Sequence, residues 1–104
     1  MVVLNIRDIQ ELGPDDIYIG RANRYFGLPH SKWANPFKLT TRNPRDRQLV
    51  ITAYREWVLK NDDLVSALPE LRGKRLVCWC KPLPCHGDVL AELVSALDDV
   101  PAVE

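Results

Sequence analysis

Three cysteines, a histidine and an aspartate lie close together in residues 78–88, which read Cys-Trp-Cys-Lys-Pro-Leu-Pro-Cys-His-Gly-Asp. The chain has 3 cysteines, and all of them fall in this segment, as Cys78, Cys80 and Cys85. Thiols and imidazoles are groups of nucleophilic and acid–base catalysis, and they are also ligands of zinc. If the chain has a chemical site, this segment predicts its location.

The segment connects a predicted strand over residues 75–80 to a predicted helix that runs from His86 to Leu97. Alternate residues of a strand point to the same face, so we expect Cys78 and Cys80 on one side and Trp79 on the other. Ligands of open α/β sheets bind beyond the carboxyl ends of the strands, and a helix N-terminus favours a thiolate or a bound anion. The sequence therefore predicts two thiols, an imidazole and a carboxylate around one opening at the carboxyl end of the strands, which we call the mouth.

Three interpretations of this mouth remain open. In the first it is an enzyme site: Cys80 or Cys85 is the nucleophile, His86 transfers protons, and Asp88 orients His86 or caps the helix. In the second, zinc is bound by Cys78, Cys80, Cys85 and His86, although the spacing departs from paired Cys-x2-Cys knuckles and adjacent Cys85 and His86 seldom reach one ion. In the third, the cysteines are small core residues and His86 and Asp88 support the first helical turn.

Positive charge is concentrated in one part of the chain, although 14 basic residues balance 14 acidic ones and the net charge is +0. This balance argues against a strongly basic nucleic-acid-binding protein. Half of the basic residues nevertheless lie between positions 21 and 47, against the single acid Asp46; they are Arg21, Arg24, Lys32, Lys38, Arg42, Arg45 and Arg47. Such a face could hold a phosphate or a short nucleic acid, or it could be an ordinary solvated surface.

Substrate-binding candidates come from the same region. Arg21 directly follows a predicted strand and would reach the cysteine mouth if the strands are parallel; a surface salt bridge is the alternative. Lys32 is a second cationic candidate. Asn35 begins a tight turn, Asn35-Pro36-Phe37, in which its side chain bonds the backbone or offers its amide to a ligand. Trp33 could stack on a base, but core packing is the favoured interpretation.

The elements that position these residues are read from periodicity and capping. Strands are predicted at residues 2–6, 17–20 and 75–80, with a long ordered loop over residues 21–41 that includes a helical turn or edge strand near Phe37. Asn43 and Pro44 start the firmest helix, a second helix spans residues 64–68 and stops near Pro69, and the third runs from His86. We expect one domain, residues 1–104, in the α/β class: a small Rossmann-like layer sandwich whose mainly parallel sheet is flanked by helices.

Composition places the protein in a reducing compartment. No apolar run approaches the length of a membrane span, and the N-terminus carries no secretion-signal pattern, so we expect a cytoplasmic protein without membrane partners. An odd number of cysteines argues against a disulfide framework. The residues from about 98 onward read as an acidic tail.

Three motifs, taken in order, resemble one family of proteins. Ile19-Gly20-Arg21, Asn35-Pro36-Phe37 and the segment Cys78–Asp88 are similar to the domain of unknown function 4326 family, which comprises uncharacterised bacterial and phage proteins. The resemblance implies no activity. It does imply that one pocket gathers Arg21, Asn35, Cys80, Cys85, His86 and Asp88. A second, more distant uncharacterised family begins the corresponding helix with Cys-His-Arg, where this chain has Gly87.

These observations lead to a working hypothesis. We expect a small enzyme, or enzyme-like domain, that acts on a nucleotide or nucleic-acid-derived substrate. In this hypothesis Cys80, Cys85 and His86 are the catalytic groups, and Arg21 binds a phosphate of the substrate. The alternatives are a noncatalytic module, for example a phage-encoded one, that binds a nucleotide or a host protein, and a structural zinc domain. No cofactor is predicted apart from zinc in that last case, and the oligomeric state is left open.

Overall fold

The computed structural model describes residues 1–98; the predicted acidic tail, residues 99–104, lies outside the described residues. The strands are β1 (Val3–Asn5), β2 (Asp16–Tyr18) and β3 (Arg75–Cys78). The α-helices are α1 (Ile6–Ile9), α2 (Pro44–Leu59), α3 (Asp62–Ala67) and α4 (His86–Asp98), and a 3-10 helix covers Leu68–Leu71.

The sheet has three parallel strands in the order β1-β3-β2, so the last strand in sequence is the central one. Asn5 pairs with Cys78, and Tyr18 pairs with Val77, which brings the carboxyl ends of all three strands to one edge. The predicted α/β class with a parallel sheet is confirmed. Because β3 is central, the segment that follows it lies between the segments that follow β1 and β2.

Side chains on the two faces of the sheet pack into two apolar clusters. On one face, Leu76 and Cys78 contact residues of α2, α3, the 3-10 helix and α4. On the other face, Val77 and Tyr18 pack with α1 and with the turn that contains Leu28. Burying one such aliphatic side chain stabilises the fold by about 1.5–3 kcal/mol, whereas an exposed ion pair contributes about 0–1 kcal/mol. Packing rather than surface charge therefore holds the helices on the sheet.

The helix starts follow the capping residues in the sequence. Asn43 accepts a hydrogen bond from the Arg45 N–H (2.9 Å), and Pro44 occupies the first turn of α2, which confirms the predicted start. Asn61 caps α3 in the same way. The predicted stop near Pro69 is confirmed for the α-helix, which ends at Ala67; the 3-10 helix that follows accommodates Pro69 in its first turn.

The strands are shorter than predicted, and the long loop is less regular. β1 ends at Asn5 because the Asn5 carboxamide accepts from the Arg7 N–H (2.9 Å) and caps α1, a helix that the sequence pattern did not indicate. The predicted helical turn or edge strand near Phe37 is absent: residues 34–43 form no helix or strand. Among the residues that the structure describes, none of the helices has the length and hydrophobicity of a membrane span.

Candidate functional site

A cavity of about 380 Å³ opens at the carboxyl edge of the sheet. Three parts of the chain form its walls: the segment after β2, the segment that leads into α2 with the first turns of that helix, and the segment between β3 and α4. Its polar and reactive lining residues are Arg21, Asn23, Asn35, Arg47, Cys78, Cys80, Cys85 and His86. Apolar side chains, including Phe37, Leu39, Val50 and Ile51, form much of the remaining wall.

The three thiols lie in one wall but differ in access to solvent. Cys78 and Cys85 are 1% and 2% exposed, and their sulfur atoms are 3.4 Å apart. Cys80 is only partly buried and packs against the same apolar cluster, while Trp79 packs against the cluster on the opposite face, as strand alternation predicts. All three cysteines are free thiols. Cys80 is therefore the thiol that a ligand in the cavity can reach most readily.

The environment of Cys80 favours its thiolate. Its pKa is lowered to about 6, first by a hydrogen bond from Cys85 and then by the positive charges of Arg47 and Lys81, against the opposing effect of burial. Cys85 also lowers the pKa of Cys78, to about 7, but a negative charge on Cys80 works against a second one there. The pKa of Cys85 is raised, because its proton stabilises a neighbouring thiolate and because it is itself buried. The sulfur contact in this wall is between Cys78 and Cys85 (3.4 Å), and the positive charges of Arg47 and Lys81 favour the thiolate at Cys80.

Arg47 lines the cavity, although the sequence analysis named it only as a member of the basic stretch and not as a site residue. Its guanidinium donates to the Pro84 carbonyl (3.1 Å), which holds it over the segment that leads into α4. The signal for it was present in the sequence: Arg47 shares the apolar face of α2 with Val50, Ile51 and Tyr54. A cation at the start of an apolar stripe indicates that this end of the stripe faces a polar site.

His86 lines the cavity as a buried, neutral imidazole. Its Nε2 lies 2.7 Å from the Ile19 carbonyl oxygen, which can only accept, so Nε2 carries the proton and Nδ1 is the basic nitrogen. The ring also meets Tyr54 edge-on at a centroid distance of 4.9 Å. Burial is the main cause that lowers the pKa of His86. No hydrogen bond joins His86 to a cysteine within residues 1–98, so the lowered pKa of Cys80 does not depend on the imidazole.

Arg21 and Asn35 come together on the opposite wall. The Arg21 guanidinium donates to the Asn35 backbone carbonyl (2.8 Å). The Asn35 side-chain oxygen accepts from the Phe37 N–H (2.9 Å), which leaves its amide nitrogen as the group that could donate to a ligand. Both residues line the cavity, so the structure gathers Arg21, Asn35, Cys80, Cys85 and His86 around one space.

Two of the candidate residues lie outside this cavity. Asp88 accepts from the Cys85 N–H (3.0 Å) and pairs with Lys81, so it fixes the start of α4 and faces a separate groove beside β1. Lys32 forms an ion pair with Glu70 (3.0 Å) and lies over the Trp33 ring. Trp33 itself is 2% exposed and belongs to the core, so no base can stack on it.

A buried asparagine that sequence reasoning missed positions the segment after β3. Asn5 donates from its amide nitrogen to the carbonyls of Trp79 and Lys81, both at 2.9 Å. Trp79 is held from the other side by its hydrogen bond to the Tyr18 hydroxyl (2.7 Å). These two contacts fix the backbone on either side of Cys80, which is the requirement for a preorganised nucleophile.

The zinc hypothesis finds little support in the donor geometry. Within the part of the chain that the structure describes, no group of three or more histidines, cysteines, aspartates or glutamates is arranged to hold a metal ion. The four ligands considered from the sequence were Cys78, Cys80, Cys85 and His86. Of these, His86 already uses Nε2 on a backbone carbonyl, and adjacent Cys85 and His86 begin the same helix.

Comparison with known proteins agrees with the sequence motifs. A model described as domain of unknown function (DUF4326) matches residues 4–96. An uncharacterised protein of Acanthamoeba polyphaga mimivirus is 36% identical over 93 residues, covering 80% of this chain and 69% of that protein. An uncharacterised 12.4 kDa protein of Enterobacteria phage T4, from the nrdA-td intergenic region, is 50% identical over 40 residues, covering 38% of this chain and 37% of that protein. No solved structure matches the chain.

Proposed function

The chain belongs to the domain of unknown function 4326 family, and from the geometry of its cavity we propose that it is a thiol-dependent enzyme acting on a nucleotide or nucleic-acid-derived compound. Cys80 is the nucleophile, His86 moves the proton, and Arg21 and Arg47 bind a phosphate of the substrate. Cys85 is the hydrogen-bond donor that holds Cys80 as a thiolate. Asp88 and Lys32 have no part in this proposal.

The observation that carries the proposal is the position of Cys80. A partly buried thiol with a pKa of about 6 lines a cavity that also contains two arginines and a neutral imidazole. A structural cysteine needs no such surroundings, because buried thiols in apolar environments have raised pKa values and are inert. Perturbed groups that converge on a cleft are typical of functional sites.

The phosphate-binding role rests on the charges of the two arginines. Arg21 and Arg47 each donate to a backbone carbonyl, and among the described residues neither is neutralised by an ion pair with a carboxylate. The charge of Arg21 is therefore available to an anion, while that of Arg47 acts on both the Cys80 thiolate and a bound phosphate. Guanidinium groups bind phosphate in bidentate fashion. The cavity volume of about 380 Å³ falls within the range of small-molecule sites, roughly 300–1,000 Å³.

The chemistry follows in two steps. The Cys80 sulfur forms a bond to an electrophilic carbon of the substrate, and the bond from that carbon to the leaving group breaks with its electron pair. A water molecule then loses a proton to Nδ1 of His86 and attacks the same carbon; the carbon–sulfur bond breaks and the thiolate is restored. The proton passes from His86 to the leaving group, so the balance is hydrolysis.

The test is protection of Cys80 from alkylation by iodoacetamide, measured by peptide mass spectrometry. We expect nucleoside monophosphates to slow alkylation of Cys80, and the matching unphosphorylated nucleosides to do so much less. Arg21→Met should weaken the protection about tenfold or more, since a hydrogen bond to a charged group contributes about 1.5–3 kcal/mol. Lys32→Met is the matched control, because Lys32 lies outside the cavity and should leave protection unchanged.

Two results would contradict the proposal. Equal protection by nucleosides and nucleotides would contradict the proposed phosphate contact. The absence of protection by either would contradict the proposed substrate class. Catalysis itself is tested by incubating the protected ligands with the protein and searching for product by mass spectrometry. The Cys80→Ser variant should form neither product nor covalent adduct.

A second candidate function is a noncatalytic module that binds the same ligand. It is favoured by the absence, within the described residues, of a hydrogen bond between His86 and any thiol, since a cysteine–histidine pair is the usual arrangement for thiol catalysis. Recovery of a bound nucleotide unchanged, with full protection of Cys80, would establish this module in place of the enzyme.

A further inference from the structure

One aromatic residue near the cavity in sequence is almost fully exposed, although the turn that contains it is closed by hydrogen bonds. Tyr25 is 89% exposed. It lies in the turn between Asn23 and Leu28, whose backbone groups exchange two hydrogen bonds of 2.8 Å. Gly27 allows the turn its positive φ of 65°, and the Asn23 side chain accepts from the Phe26 N–H (3.1 Å). The ring is therefore presented to solvent by a fixed backbone.

The turn is attached directly to the cavity wall. Asn23 lines the cavity, and Phe26 packs edge-on against Trp79, another lining residue, at a centroid distance of 5.4 Å. Tyr25 in turn meets the edge of Phe26 at 5.1 Å. The exposed ring lies two residues along the chain from the lining residue Asn23. It belongs to neither apolar cluster and borders a separate groove that Glu11 and Leu12 also line.

Most cations of residues 21–47 form no ion pair among the described residues. Basic side chains that do pair with carboxylates include Lys32, Arg55, Lys74, Arg75 and Lys81, whereas Arg7 and Lys60, outside this stretch, form no such pair within residues 1–98. Near the mouth, no ion pair with a carboxylate is formed within residues 1–98 by Arg21, Arg24, Lys38, Arg42, Arg45 or Arg47. The one acid of this stretch, Asp46, bonds the Thr41 hydroxyl instead.

Three of the unpaired cations, Arg24, Lys38 and Arg45, are near neighbours in sequence of residues that line the cavity, and we call them the rim cations. Arg24 adjoins Asn23 on the wall that follows β2, and Lys38 lies between the lining residues Phe37 and Leu39. Arg45 lies in the first turn of α2, two residues before the lining residue Arg47. A single phosphate in the cavity would need Arg21 and Arg47 alone, so the remaining charges exceed what a free mononucleotide requires.

We infer that the substrate is a nucleotide within a single-stranded nucleic acid, with its reacting residue in the cavity, a neighbouring base stacked on Tyr25 and flanking phosphates on the rim cations. This inference rests on the proposed function and specifies its substrate class. Exposed aromatic side chains beside basic grooves bind single strands because every base offers a face for stacking. The net charge of +0 makes the interaction local and moderate rather than a general affinity for polyanions.

The experiment is fluorescence anisotropy of the full chain with a labelled single strand of about 12 nucleotides, within the footprint of small single-strand-binding domains. DNA and RNA strands are measured separately, and the comparison of their affinities shows which sugar-phosphate backbone is preferred. We expect Tyr25→Ala to weaken binding about tenfold and Tyr25→Phe to preserve it, because stacking needs only the ring. Arg24→Ala should lower the slope of log affinity against log salt by about 0.7, the value for one single-strand phosphate contact.

Lys60→Ala is the matched control, since Lys60 is exposed at the far end of α2 and should change neither affinity nor slope. The strand should also protect Cys80 from iodoacetamide at lower concentration than a nucleoside monophosphate does. The inference would be overturned if Tyr25→Ala left the affinity for the strand unchanged. It would also be overturned if heparin or a duplex bound with the same affinity as the single strand. A strand that bound without protecting Cys80 would overturn it as well.

Failure of this inference is distinguishable from failure of the proposed function. Protection of Cys80 by a nucleoside monophosphate, with no advantage for the strand, would leave the proposed function standing and reject the single-strand substrate. The Tyr25→Ala variant should retain that protection by the monophosphate, because Tyr25 does not line the cavity.

Discussion

The surroundings of each sulfur distinguish Cys80 from the other two cysteines. Cys78 and Cys85 are enclosed by the core and lie in contact with each other. Cys80 lies at the cavity surface, where the neighbouring Cys85 thiol and the positive charges of Arg47 and Lys81 lower its pKa. A low thiol pKa combined with access is what makes a cysteine reactive. The three cysteine thiols are chemically identical, but their surroundings give them different roles.

Alkylation of Cys80 should depend on pH in a manner that reveals these contacts. Because the thiolate is the reactive form, we expect the rate with iodoacetamide to rise as pH increases through about 6, compared with 9.0 for an ordinary thiol. Peptide mass spectrometry of samples quenched across the pH range measures the midpoint. Cys78 and Cys85 should react at rates set by unfolding, because both are buried.

Arg47→Met should move that midpoint upward, since Arg47 acts on Cys80 through both a hydrogen bond and its charge. Arg45→Met is the control, because Arg45 lies on the same helix and is not among the groups that act on Cys80. Equal midpoints for the two variants and the unmodified chain would mean that Arg47 does not stabilise the thiolate.

At the scale of elements, the start of α4 determines the geometry of the cysteine wall. Asp88 accepts from the Cys85 N–H (3.0 Å), as a residue of the first turn does in a capping box. Its other carboxylate oxygen pairs with Lys81, in the segment before the helix. Asp88 therefore ties the segment after β3 to the helix, and it does so from the side away from the cavity.

Asp88→Ala should lower the free energy of unfolding by about 1 kcal/mol, the usual cost of losing a helix cap, as measured by urea denaturation. Asp88→Asn keeps an oxygen acceptor for the Cys85 N–H and should lose less. Neither variant should change the pH midpoint of Cys80 alkylation substantially. A large loss of Cys80 reactivity in Asp88→Asn at unchanged stability would instead favour the direct catalytic role predicted from the sequence.

At the scale of the whole molecule, α4 approaches the sheet so closely that its first turn needs a glycine. A Cβ atom on Gly87 would lie 2.8 Å from Val3 Cγ1 and 2.9 Å from Ile19 Cδ1. Both distances are shorter than any normal carbon contact, so either these two side chains or the helix itself would have to shift. This packing also explains why an arginine, found at the corresponding place in the more distant family, has no room here.

Gly87→Ala should reduce the free energy of unfolding by about 1–3 kcal/mol, the usual cost of overpacking a core, as measured by urea or thermal unfolding. The direction of the change in unfolding free energy is informative, because alanine stabilises a helix relative to glycine by about 1 kcal/mol where space allows. Ala96→Ser, at an exposed position of the same helix, serves as the control and should change stability little. A stabilised Gly87→Ala variant would show that α4 can move away from the sheet without loss.

The sequence by itself determined the features that depend on near neighbours in the chain. Asn43 and Pro44 predicted the start of α2, and His86 begins the last helix as predicted. Runs of β-branched residues predicted the three strands of an α/β fold. Capping, helical periodicity and strand propensity act within a few residues, so a single sequence contains them. The same is true of the clustered cysteines, whose spacing indicated where a site would lie.

Only the tertiary structure decided which of these residues share a space. It brought Arg47, from the start of α2, beside Cys80, and it turned Asp88 away from the cavity and paired Lys32 with Glu70. The strand order β1-β3-β2 also lay beyond the sequence, because it results from the packing of whole elements on the two faces of the sheet. Contacts between residues distant in sequence depend on that packing, and local propensities carry no information about it.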